Sequence, residues 1–127
     1  MKPEKIVYEN QQKVHDLIIK KLKLKHLANL KEAYLIGSLA NGNFGRYLKP
    51  YEGFLGSDID VVALPVEIPK KWKYGGEFYN WHKKYYGGKI IIQKIPHPIN
   101  FMVPFNQDIS LFFQKVKELN WKVERLK

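Results

Sequence analysis

The chain has 127 residues, and its Lys and Arg outnumber Asp and Glu by 22 to 12, a formal net charge of +10. That length fits one domain, residues 1–127, with a core that needs no covalent staples. The absence of cysteine excludes disulfides and thiolate metal sites. No apolar run approaches the length of a membrane span, and Met1-Lys2-Pro3-Glu4 lacks the apolar segment of a signal peptide. A cytoplasmic location is therefore expected. The basic excess favours polyanionic partners such as nucleoside triphosphates or RNA, and a lysine-coated surface accounts for it equally well.

Val14, Leu17, Ile18 and Leu22 share a helical face, which predicts an amphipathic helix over about residues 8–25 with Lys13, Lys20 and Lys23 turned outward. Residues 32–36 read as a strand running into Gly37, and residues 38–42 as a brief helix capped by Ser38. Gly45, Pro50, Gly53 and Gly56 predict a loop over 43–56. Residues 59–64 read as a strand ended by Pro65. Gly75-Gly76 and Gly87-Gly88 bracket a stretch rich in aromatic residues and lysine, read as a helix over about 77–86. Two strands, 90–92 and 99–103, follow on either side of Pro96-His97-Pro98. Ile109, Phe112, Phe113, Val116 and Leu119 repeat at helical spacing and predict a closing helix, with Asp108 as its cap. This order, with helices interleaved among strands, predicts an α/β protein whose small mixed sheet carries helices packed against it.

Two short motifs carry chemistry. Ser57-Asp58-Ile59-Asp60 opens the second strand, and residues i and i+2 of a strand point to one face. Asp58 and Asp60 thus present two carboxylates side by side. Such a pair is costly unless a cation lies between them, and oxygen donors of this kind suit Mg²⁺. Gly37-Ser38 at the end of the first strand supplies a bend whose backbone N–H groups can hold phosphate oxygens. Gly37 is equally the residue a strand-to-helix turn needs.

Gly37-Ser38-Leu39-Ala40-Asn41-Gly42 followed by Ser57-Asp58-Ile59-Asp60 resembles the signature of the polymerase-beta-like nucleotidyltransferase superfamily, and most nearly its minimal nucleotidyltransferase branch. The resemblance covers about residues 33–64. It implies the nucleotidyltransferase fold and a Mg²⁺-dependent, two-ion transfer of a nucleoside monophosphate from a nucleoside triphosphate to a hydroxyl of RNA, protein or a small molecule. It assigns Asp58 and Asp60 to the metal ions, and Gly37, Ser38 and Ser57 to the nucleotide. It also implies a frequent partner, a HEPN-type helical protein, often in a toxin–antitoxin pair.

The chain departs from the family at three places. Asn41 stands where an Arg is usual, leaving Arg46 or Lys49 as substitutes. Residues 39–57 form a longer spacer than the family pattern. Asn100 occupies the place expected for a third catalytic carboxylate, and an amide oxygen can ligate a metal but cannot act as a base. This leaves two readings open: an active transferase, or an impaired member that binds nucleotide or RNA. His15, His26, His82 and His97 lack metal-ligand spacing and read as structural or surface residues. The aromatic and lysine stretch suits base stacking on one face and core packing on the other.

Overall fold

A computed structural model describes residues 1–127. In chain order the elements are β1 (Lys5–Val7), α1 (Gln11–Lys25), β2 (Leu30–Ile36), α2 (Ser38–Asn41), β3 (Gly45–Tyr51), β4 (Phe54–Gly56) and β5 (Ile59–Pro65). They continue with β6 (Lys73–Phe78), β7 (His82–Ile92), β8 (Ile95–Pro104), a 3₁₀ turn (Phe105–Gln107), α3 (Ile109–Leu119) and β9 (Glu124–Arg125). The class is mixed α+β, with two sheets. The larger has the order β6-β7-β8-β5-β2-β9, and the smaller β1-β3-β4. Every pairing is antiparallel except β5 with β8, which run parallel with Asp60 beside Asn100.

Strand alternation divides the large sheet into two buried faces. Ile59, Val61 and Ala63 of β5 and Ile99 and Phe101 of β8 pack with Val14, Ile18, Ile19 and Leu22 of α1. Val62 and Met102 face the other way and pack with Tyr34, Ile36, Trp81 and Phe112, the last from α3. Both helices are capped as their sequences ask: Asn10 accepts from the Lys13 N–H, and Asp108 accepts from the Ser110 N–H at 3.0 Å. Leu17, expected on the buried stripe of α1, is 43% exposed, and Ile19 takes its place.

Three sequence expectations need correction. The predicted helix over 77–86 is a β-hairpin, β6 and β7, closed through Tyr79 and Asn80 at positive φ. Aromatic residues favour a pleated, half-buried surface, and here that preference outweighs any helical spacing. The two Gly-Gly pairs are not helix brackets but the sites where pairing register shifts, between Tyr74 and Gly76 and between Tyr86 and Lys89. At the second bulge a Cβ on Gly87 would collide with the Phe101 ring.

The predicted loop over 43–56 contains the hairpin β3–β4, turned at Glu52-Gly53, both at positive φ. Pro50 is tolerated because β1 pairs only with Gly45–Tyr47, so no partner strand awaits its missing N–H there. Pro96-His97-Pro98 likewise lies inside β8 rather than between strands. The prolines precede Ile99–Met102, the segment that β8 pairs with β5, so at that end β8 has β7 as its one ladder partner.

Candidate functional site

The sheet face that carries α3 is only partly covered by it. Asp58 immediately precedes β5, and Asp60, two residues on, shares its face with Val62, on the side of α3. Asn100 and Met102 continue that face on the parallel neighbour β8, and Lys84 and His82 extend it onto β7. The result is a cleft of about 530 Å³, within the range of small-ligand sites. Gly37, Asn41, Asp58, Asp60 and Asn100 line one end of it.

Gly37 explains why the bend and the acids meet. Its backbone sits at φ +79°, ψ −156°, a region open essentially to glycine alone. A Cβ built there would lie 2.6 Å from Asp60 Oδ2. The bend is therefore pressed directly against the carboxylate, and both conformation and contact exclude a side chain. Gly37, rather than Ser38, is the cap residue of α2, and no side-chain hydrogen bond caps that helix. Gly42 closes it in the left-handed conformation, its N–H donating to the Ser38 carbonyl.

Burial, first, and the Asp58 charge, second, push the Asp60 carboxyl up to about 7, while the Asn100 amide and the Lys84 ammonium pull the other way. The Asp58 carboxyl is also raised, chiefly by burial, with Lys84 opposing and Glu52 adding to the shift. Two acids held this way lack a sufficient counter-charge among their neighbours. Their oxygens and that of Asn100 form a hard donor set. No three His, Cys, Asp or Glu side chains are placed so that together they could hold a metal ion.

The start of β5 is anchored from behind. His97 Nδ1 donates to the Ser57 carbonyl at 2.8 Å, which leaves Nε2 to accept from the Tyr8 hydroxyl at 2.7 Å. The His97 ring is fully buried, and burial lowers its pKa to about 4, so it is neutral in this arrangement. The Ser57 hydroxyl accepts from the Gly45 N–H at 3.3 Å and thereby links the small sheet to β5. Ser57 is thus a buried tie that does not line the cleft, in contrast to its expected contact with nucleotide. Ser38 does not line the cleft either.

Asp58, Asp60, Asn100 and Gly37 converge as the sequence suggested. The candidate substitutes for the missing Arg do not: Arg46 and Lys49 lie outside the cleft, whereas Lys2 and Lys84 line it. Sequence reasoning also missed Glu52, which the β3–β4 turn brings to the cleft rim, and His82, which reads from its spacing as structural or surface; Tyr79 belongs to the stretch already suited to base stacking. The signals for these were the Glu52-Gly53 turn and the strand-like aromatic alternation. No family model, curated protein or solved structure matches this chain.

Proposed function

We propose that the chain is a nucleotidyltransferase of the polymerase-beta-like kind, of the minimal branch, moving a nucleoside monophosphate from a nucleoside triphosphate to an acceptor hydroxyl with Mg²⁺. The observation that carries this reading is the Gly37 backbone pressed on Asp60, with Asp58 and Asn100 on the same open face. An acid pair or a glycine bend alone is ordinary. Their contact would bring a phosphate on that backbone within reach of a cation on the carboxylates, an arrangement that supports phosphoryl transfer.

The residues present fit Mg²⁺, which is commonly held by one or two carboxylates and completed by substrate phosphates and water. When bound, such ions polarise the phosphoryl group and favour ionisation of the attacking hydroxyl. The chain's own residues do the rest. Asp58 and Asp60 would hold such an ion through their carboxylate oxygens, Asp60 in its ionised form. The Asn100 amide, beside Asp60, steadies the carboxylates. The Gly37 backbone, which lines the cleft against Asp60, is the part of the bend open to a phosphate oxygen. Lys2 and Lys84 offset the charge of the triphosphate. Incubation with α-labelled triphosphates, Mg²⁺ and RNA, protein or small-molecule acceptors tests the reading. Label transfer is expected in the native chain and none in Asp58→Ala/Asp60→Ala; transfer surviving in that variant overturns it.

One observation favours a second reading, a member that binds nucleotide or RNA without turnover, alone or beside a HEPN-type helical partner. The position paired with Asp60 on β8 carries an amide that accepts no proton. Tight Mg²⁺-dependent triphosphate binding with no release of pyrophosphate supports this reading, and efficient transfer dismisses it.

A further inference from the structure

The cleft has a second end, built from different chemistry. Past Met102 it reaches the tip of the β6–β7 hairpin and the residues that follow α3. There Phe78 and His82 lie at 22° with centroids 6.0 Å apart, and Tyr79 and His82 at 30° and 6.2 Å. Trp121 stands nearby, propped on Trp81 at 6.2 Å and Phe112 at 6.4 Å. Lys115 and Lys122 line the same end.

Core packing accounts for only part of this cluster. Trp81 and Phe112 are buried, but Tyr79 is 79% exposed and Phe78 37% exposed. His82 is itself buried, yet its Nδ1 has no hydrogen-bond partner. Burial and the neighbouring Lys84 lower its pKa to about 4, so it contributes a neutral ring rather than a cation. Flat rings left open beside ammonium groups suit a flat, electron-rich heterocycle joined to phosphate. An acidic peptide would satisfy the lysines but leave the ring faces bare.

We infer that this end of the cleft is a nucleobase seat, in which a base stacks on the open rings of Tyr79, Phe78 and Trp121, backed by the buried His82 ring, with Lys115 and Lys122 beside it for a backbone phosphate. The location beside the carboxylates rests on the function proposed above. The base belongs either to the triphosphate or to the terminal nucleotide of an RNA acceptor. The hairpin thus acts as the specificity element of the cleft, and the Gly37 end as its phosphate element.

The test compares Mg²⁺-dependent binding of ATP, inorganic tripolyphosphate and a single-stranded RNA trinucleotide to the full chain, by calorimetry. The variant is Tyr79→Asn, because asparagine tolerates the positive φ of this turn while removing the ring. If the seat takes the base of the triphosphate, ATP binds about 5- to 100-fold more tightly than tripolyphosphate, and Tyr79→Asn erases that difference. If it takes an acceptor base, ATP and tripolyphosphate bind alike and the variant weakens the trinucleotide by a similar factor. Unchanged binding of both ATP and the trinucleotide in Tyr79→Asn overturns the seat. Failure of the carboxylate reading looks different: tripolyphosphate binding would then be indifferent to Mg²⁺ and to Asp60→Asn.

Discussion

Asp60→Asn isolates the cost of keeping an acid in this cleft. In the metal-free fold the carboxyl is raised from 3.8 to about 7. A folded pKa above the unfolded one means that the folded chain holds its proton longer. The group therefore leaves stability intact below pH ~4 and removes it progressively as pH rises to about 7. The whole interval corresponds to about 4 kcal/mol. The amide relieves that penalty but offers one acceptor oxygen in place of two, so a net gain of about 2 kcal/mol at pH 8 is the reasonable expectation. For a chain of this size the gain is worth about 6–10 °C in Tm. Thermal unfolding followed by circular dichroism at pH 5 and pH 8, in EDTA, provides the readout. The comparison is the variant minus the native chain, because His82 and His97 titrate alike in both. The advantage should fall by more than half at pH 5, and Mg²⁺ should raise the Tm of the native chain alone. A variant no more stable than the native chain at pH 8, or equally favoured at both pH values, would refute the reasoning.

Gly37→Ala should lower stability by about 1–3 kcal/mol through its disallowed φ and the clash with Asp60. It should also abolish Mg²⁺-triphosphate binding, as urea titration and calorimetry would show. His97→Leu leaves the Tyr8 hydroxyl and the Ser57 carbonyl without their shared partner, at a cost of about 2–4 kcal/mol at pH 7. With a folded pKa of about 4, the native His97 contributes stability above pH ~6.5 that is lost as pH falls toward 4. The variant should therefore lose less stability between pH 7 and pH 4.5 than the native chain does. Asn100→Asp adds a carboxylate beside Asp60 and should tighten Mg²⁺ binding severalfold and raise label transfer. If transfer is already fast and Glu52→Gln slows it instead, the third acid comes from the β3–β4 turn.

The parts of the site that were legible in the sequence are those fixed by local rules. Two-residue periodicity puts Asp58 and Asp60 on one face, and glycine chemistry marks the bend at Gly37. Asn100 follows from the resemblance rather than from a local rule, and the pairing of β5 with β8 sets it beside Asp60. The helices α1 and α3 announce themselves by spacing and caps. What failed depended on partners distant in the chain. Gly75-Gly76 and Gly87-Gly88 punctuate a strand as readily as a helix, and the Phe101 ring against Gly87 is what identifies a bulge at the second pair. Pro50, Pro96 and Pro98 argue against strands only where a neighbour needs their N–H. Ser57 sits in the motif but is claimed by the Gly45 N–H, a contact twelve residues away in sequence. Lys84 and Glu52 reach the cleft through hairpins of which the sequence shows the turn residues but not the strand pairing that aims them.

The single parallel contact also bears on how the chain comes off the ribosome. β5 is followed by the entire β6–β7 hairpin before β8 arrives to lie beside it. Until residues 99–102 have been synthesised and released, the apolar strand Ile59–Pro65 is paired on one side only, by β2. An uncovered strand edge of that composition invites pairing with a neighbouring nascent chain. Slow translation between residues 66 and 98 would prolong that exposure, and the yield of native protein should depend on how quickly this interval is crossed.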